Sequence, residues 1–139
     1  MYDTILVGTD GSASANRAIV HALELAEGYD ATLHGIFVVN TAVYGEPALG
    51  SGELYTHKIE EQGVTYLDEI EHRADDLGVD FVKRCCHGKP YKEIVRYADD
   101  IDADIVVLGY QGKTHTETEI LGSVTDRVIR SSGRPTLIV

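Results

Sequence analysis

The chain has 139 residues, a length that fits one domain with a core large enough to need neither a disulfide nor a metal. Its 12 Lys and Arg residues stand against 23 Asp and Glu, and this net charge of −11 argues against a nucleic-acid partner, which needs a basic surface. Because no run of about 18 apolar residues and no basic leader occurs, we expect no membrane association and a cytoplasmic location.

The cysteines and histidines form no pattern typical of a metal site. Cys85 and Cys86 are neighbours in a predicted strand, where their side chains would point to opposite faces. We expect both to be small buried core residues rather than redox groups. The six histidines show no ligand spacing such as HExxH, so we predict no metal site.

The first half of the chain alternates predicted strands with predicted helices. The predicted elements are a strand at 4–8, a helix at 14–27, a strand at 31–39 and a long helix at 54–77. Gly28 and Gly78 are predicted to end the two helices. Residues 41–53, which contain three glycines and Pro47, are predicted to be a loop.

The second half continues the alternation. The predicted elements are a strand at 79–86, a helix that starts around Pro90, a strand at 105–108, a helix that opens at Ser123 and a strand at 135–139. In the last helix, Val124, Val128 and Ile129 are predicted to share one apolar face. Five strands separated by helices predict an α/β fold, a single-domain, Rossmann-like open parallel sheet covered by helices on both faces.

An unusual turn follows the fourth predicted strand. Gly109-Tyr110-Gln111-Gly112 is separated by nine residues from Gly122-Ser123-Val124-Thr125, which is longer than the usual strand-to-helix loop of about 2 to 6 residues. Bare backbone N–H groups and the positive end of a helix dipole would meet there and favour an anion such as phosphate. The alternative is that these glycines only shape a turn and cap a helix, with Ser123 and Asp126 forming a capping box.

Two further features concern the same region. The turn at 8–12 would flank the same crevice if strands one and four are neighbours, because ligands of open α/β sheets bind where the strand order reverses. Lys113 and Arg127 are the cations expected to reach an anion there. The sequence lacks the P-loop motif, the dinucleotide-binding G-x-G-x-x-G motif after its first strand, and the G-x-S-x-G elbow of hydrolases.

The spacing of this region resembles that of the universal stress protein family, in the subgroup that binds ATP through a G-x2-G-x9-G-[ST] motif. Gly109, Gly112, Gly122 and Ser123 fill the motif. The stretches ILVGTDGS, ADIVVLG and RPTLIV are also similar to that family, so the resemblance covers the whole chain, 1–139.

The resemblance implies a strand order of 3-2-1-4-5, a homodimer paired through the last strand, and an adenine nucleotide such as ATP, with or without Mg²⁺, held between strands one and four. It places Asp10 near the sugar and base and Val38 in the adenine pocket. Gly8 stands where many members have proline. The implied nucleotide-binding residues are Thr9, Asp10, Val38, Leu108, Gly109, Gly112, Gly122, Ser123, Val124 and Thr125.

For function we therefore expect an ATP-binding regulatory module of the stress response. Two alternatives stay open, a slow ATPase or nucleotide-transferring enzyme and a nucleotide-free dimeric interaction domain. An efficient phosphoryl transferase needs a metal carboxylate, a positioned nucleophile and a cation for the transition state. Only Asp10, Lys113 and Arg127 are weak candidates for those roles, so we assign no catalytic residue.

Overall fold

The computed structural model of the chain describes residues 1–41, 51–111 and 121–139, with the side chains of 51–54 outside that description. The strands are β1 (Thr4–Gly8), β2 (Thr32–Asn40), β3 (Phe81–Gly88), β4 (Ile105–Leu108) and β5 (Thr136–Ile138). The helices are α1 (Ala13–Tyr29), α2 (Ser51–Leu77), α3 (Pro90–Asp100) and α4 (Ser123–Ser131).

The five strands form one parallel sheet in the order β3-β2-β1-β4-β5. Val7 of β1 pairs with Gly35 of β2 on one side and with Val107 of β4 on the other, so β1 lies at the centre. Both the predicted α/β class and the strand order implied by the family resemblance are confirmed. The order reverses between β1 and β4, which places a crevice beyond their carboxyl ends.

Each face of the sheet carries its own apolar layer. Ile5 and Val7 of β1 pack in the layer that α1 and α2 cover, whereas Leu6 packs in the layer that α3 and α4 cover. All three are fully buried, which is why β1 reads as a continuous apolar run rather than an alternating one. Cys85 and Cys86 also fall in opposite layers, as predicted, although both are only half-buried.

The helix ends differ in part from the predictions. Helix α1 runs past Gly28 to Tyr29, and the residue that stops it is Asp30, which has a left-handed backbone with φ of 53°. Gly78 does end α2 with φ of 70°, as predicted. The Val79 N–H then donates to the carbonyl oxygen of Ala74, so the chain is still turning where β3 was predicted to start.

Several other predicted boundaries were wrong by a few residues. Strand β3 spans 81–88 rather than 79–86, and β2 starts one residue later than predicted. Helix α2 already includes 51–53, which the sequence assigned to a loop. Residues 42–50 of that predicted loop lie outside the described residues. None of the described helices combines the length and the apolarity that a membrane span requires.

Two helical glycines differ sharply in their surroundings. A Cβ atom at Gly63 of α2 would lie 2.6 Å from Cγ of Phe37, because this glycine lets α2 approach β2 closely. A Cβ atom at Gly28 of α1 would meet nothing within 4 Å. The first glycine is required by packing, whereas the second is not.

We expect Gly63→Ala to lower the free energy of unfolding by about 1–3 kcal/mol, because the Phe37 ring or the helix must move. The matched change Gly28→Ala should raise it by about 0.5–1 kcal/mol, because alanine is the better helix former. Urea unfolding of both variants tests this, and an equal response of the two would contradict the packing role of Gly63.

Candidate functional site

A cavity of about 180 Å³ lies beyond the carboxyl ends of β1, β2 and β4. Its apolar wall comes from β2, β4, α2 and α3, and its polar wall from the turn after β4 and the start of α4. The residues that line it include Gly8, Thr9, Asp10, Ser12, Ile36, Val38, Asn40, Ile59, Gln62, Tyr66, Pro90, Ile94, Leu108, Gly109, Gln111, Gly122, Ser123, Val124 and Thr125. Among the described lining residues, Asp10 is the one charged side chain.

The turn after β1 is held by its own side chains. The Thr9 hydroxyl oxygen accepts the Gly11 N–H at 3.2 Å, and Asp10 Oδ1 accepts the Ser12 N–H at 2.9 Å. The Ser12 hydroxyl oxygen in turn accepts the Ala15 N–H at 3.1 Å and caps α1. Asp10 thus shapes the turn and also lines the cavity.

Helix α2 packs directly on this turn. Gly11 has a left-handed backbone with φ of 79°, and a Cβ atom there would lie 2.6 Å from Cε2 of Tyr66. Both constraints favour glycine at this position. The Tyr66 ring therefore packs against the turn at Gly11 and also forms part of the cavity wall.

The chain between β4 and α4 is closed by two hydrogen bonds at its ends. The Gly122 N–H donates to the carbonyl oxygen of Tyr110 at 2.6 Å, and the Thr125 hydroxyl donates to the carbonyl oxygen of Gly109 at 2.7 Å. Thr125 is 5% exposed, so this second bond is shielded from water. The Thr125 hydroxyl thus donates its proton within the protein rather than to a ligand.

Gly109 is required for a reason that the sequence did not indicate. A Cβ atom at this position would lie 2.6 Å from the main-chain carbonyl carbon of Ser14 and 2.8 Å from the Ala15 nitrogen. The first turn of α1 therefore rests against Gly109. Close helix packing demands glycine here whether or not a ligand also approaches.

The start of α4 presents bare backbone to the cavity. The N-cap residue is Gly122, which has extended backbone angles and no side chain to cap the helix. The alternative in which Ser123 caps the helix and forms a capping box with Asp126 is therefore wrong, since Ser123 is already the first helical residue. The first N–H groups of a helix lack intrahelical partners, so those of Ser123 and Val124 are suited to an anion at the positive end of the dipole.

The predicted cationic contribution was wrong for Arg127. Its guanidinium carbon lies 5.1 Å from the centroid of the Tyr91 ring, and the residue does not line the cavity. Lys113 lies outside the described residues.

The apolar face of α4 also differs from the prediction. Ile129, which was predicted to share this face, is 42% exposed, whereas Val128 is fully buried.

Nine of the ten predicted nucleotide-binding residues lie around this one cavity, and the tenth, Gly112, is outside the described residues. Their binding of a ligand stays a prediction. Sequence reasoning missed the contribution of α2, where Ile59, Gln62 and Tyr66 also line the cavity. Their spacing at i, i+3 and i+7, which places them on one face of the helix, was the available signal.

The described residues provide no group of three or more His, Cys, Asp or Glu side chains placed to hold a metal ion. Burial raises the pKa of the Cys85 and Cys86 thiols, which opposes their conversion to metal-binding thiolates. In this part of the structure, the groups available to bind a negatively charged ligand are therefore chiefly backbone N–H groups.

Comparisons with known proteins all match this chain to one protein family. The model of the universal stress protein family matches residues 1–139. Universal stress protein MJ0531 of Methanocaldococcus jannaschii is 37% identical over 140 residues, with 100% of this chain and 82% of that protein covered. The structure of MJ0577, from the same organism, superposes with a TM-score of 0.85 at 28% identity, covering 100% and 96% of the two chains. A universal stress protein solved in complex with cAMP gives a TM-score of 0.72 at 32% identity, covering 99% and 96%.

We expect Thr125→Val to lower the free energy of unfolding by about 1–3 kcal/mol, because the change keeps the side-chain shape but leaves the Gly109 carbonyl without its hydroxyl donor. The Gly122 amide should also exchange its hydrogen faster. Thr65→Val is the matched control, because the Thr65 hydroxyl donates to the Glu61 carbonyl at an exposed position. That control should cost no more than about 0.5 kcal/mol. Similar losses in both variants would contradict the closing role of Thr125.

Proposed function

Because this chain belongs to the universal stress protein family, we propose that it is a regulatory stress-response module that binds an adenine nucleotide in the cavity beyond β1 and β4. One observation carries the proposal. The uncapped start of α4 at Gly122 and the apolar wall that includes Val38 and Leu108 face the same cavity. A nucleotide has the matching character, with an apolar base at one end and negative charge at the other.

The proposed binding mode follows the two walls. The base packs among apolar residues such as the buried Ile36 and Leu108 and the partly buried Val38. The sugar lies near the turn that holds Asp10. The phosphates accept hydrogen bonds from the first N–H groups of α4, where the helix dipole adds favourable charge. Mg²⁺, when present, is carried by the phosphates with few protein ligands.

Two observations support a binding module. The universal stress protein solved with cAMP is 32% identical to this chain and holds an adenine nucleotide in the same fold. Within the described lining, the single charged side chain is Asp10, and its Oδ1 atom already accepts the Ser12 N–H. A site of this composition favours binding over rapid phosphoryl transfer, which uses several charged groups around the transferred phosphate.

We expect the purified protein to bind ATP in a calorimetric titration. Gly122→Val should weaken ATP by about 10-fold or more and adenosine far less, because the added side chain blocks the approach of phosphate to the backbone. Gly133→Val is the matched control, since a Cβ atom at Gly133 meets nothing within 4 Å. No heat of binding at millimolar ATP would contradict the proposed function.

We also propose that two copies of the chain pair through the free edge of β5. The two edge strands differ in the way that matters for pairing. Strand β3 carries the exposed charged residues Lys83 and Arg84, which discourage edge-to-edge contact. Strand β5, with the sequence TLI, carries no charge, and within the described part of the chain it pairs with β4 alone.

The backbone pattern of β5 suggests a selective test. Val106 donates to the Pro135 oxygen and Val139 donates to the Leu108 oxygen, so the alternate residue Ile138 directs its N–H to the free edge. We expect Ile138→Pro to abolish pairing between copies and Ile138→Val to retain it. Sedimentation should give twice the chain mass of 15.2 kDa for the wild type. A single-chain mass for the wild type at micromolar concentration, in low and high salt, would contradict the proposal.

A further inference from the structure

Ser14 lies in the first turn of α1, behind the cavity rather than in its lining. Its side chain is nearly inaccessible, with 5% of the residue exposed. The hydroxyl oxygen accepts the Gln111 N–H at 3.2 Å, and the hydroxyl donates to the main-chain oxygen of Val139 at 3.3 Å. One buried hydroxyl thus joins α1 to the turn after β4 and to the residue that follows β5.

These bonds continue into the start of α4. The Val139 oxygen also accepts the Tyr110 N–H at 2.9 Å, and the Val139 N–H donates to the Leu108 oxygen at 2.9 Å. The Tyr110 oxygen then accepts the Gly122 N–H. Ser14 is therefore linked to Gly122, the N-cap residue of α4, through its bond to the Val139 oxygen and two further backbone hydrogen bonds.

Packing fixes the Ser14 hydroxyl in this position. The main-chain carbonyl carbon of Ser14 would lie 2.6 Å from a Cβ atom at Gly109, so only glycine allows the two segments to touch. The contact brings the hydroxyl beneath the backbone of residues 110 and 111. No other described side chain makes hydrogen bonds both to that turn and to Val139.

We propose that Ser14 is a positioning residue for the anion-binding end of the cavity, acting through the Gln111 N–H and the Val139 oxygen without touching the ligand. This role rests on the proposed nucleotide site. With Ser14 in place, the turn after β4 is already ordered before a ligand arrives, so binding does not bear the entropy of ordering it. Without the hydroxyl, the cost falls on the phosphate contacts, whereas the base contacts on the opposite wall are unchanged.

The test is Ser14→Ala, with Ile19→Val as a matched control on the same helix. Ile19 is 3% exposed and faces the core, so its shortened side chain lowers stability without altering the hydrogen bonds of Ser14. ATP and adenosine are titrated into the wild type and both variants by calorimetry. Amide hydrogen exchange at Gln111 is measured in the ligand-free protein.

We expect Ser14→Ala to weaken ATP by about 5-fold or more, the equivalent of about one hydrogen bond, and to change adenosine by less than about 2-fold. The Gln111 amide should exchange about 5-fold faster or more. Ile19→Val should leave the ATP-to-adenosine affinity ratio and the Gln111 exchange rate at their wild-type values.

Four outcomes would overturn this role. Equal weakening of ATP and adenosine in Ser14→Ala shows a general structural effect, and an unchanged Gln111 exchange rate shows that the hydroxyl does not hold the turn. A wild type that binds neither ligand overturns the proposed function and this role together. Wild-type binding with an unchanged affinity ratio in Ser14→Ala overturns this role alone.

Discussion

The parallel pairing of β1 with β4 is the contact on which the candidate site depends. It places side by side two strands that are about a hundred residues apart in the chain, so that the turns after them lie at the same end of the sheet. At the opposite end of the pair, the Asp104 carboxylate accepts the N–H groups of Asp3 and Thr4 at 2.8 and 2.9 Å. These bonds lower the pKa of Asp104, and they hold the entry to β1 against the entry to β4. With that register set, the turns at the other end of the two strands face each other across the cavity.

The cavity is built from backbone more than from charged side chains. Hydroxyl and carboxylate oxygens of Thr9, Asp10 and Ser12 hold the turn after β1, while Thr125 closes the segment after β4. In each case a short polar side chain is used to orient the main chain. The groups left for a ligand are therefore amides in set directions, and such preorganised dipoles bind anions without the reorganisation that long flexible side chains need.

The use of backbone groups at the cavity matters because the whole molecule is negatively charged. A net charge of −11 repels a nucleotide at long range. The start of α4 offers local positive potential that falls off within the first turn, so it attracts an anion only at close distance and in the right orientation. Arginines lie elsewhere, with Arg127 over the Tyr91 ring and Arg134 bonded to Asp99 and Asp102. Those residues stabilise the packing of α3 against neighbouring segments rather than the cavity.

Local sequence patterns alone determined the alternation of strands and helices, the bounds of β1 and β4, and the spacing of the glycines around the candidate site. They could do so because buried strands and helix termini carry signals within a few residues, such as the apolar run at Ile105–Leu108 and the stop at Gly78. Only the tertiary structure decided why Gly109 must be glycine, that Tyr66 supports Gly11, and that Arg127 faces away from the cavity. Each of these depends on a contact between helices or strands far apart in the chain, and periodicity carries no information about which distant side chain will fill a given space.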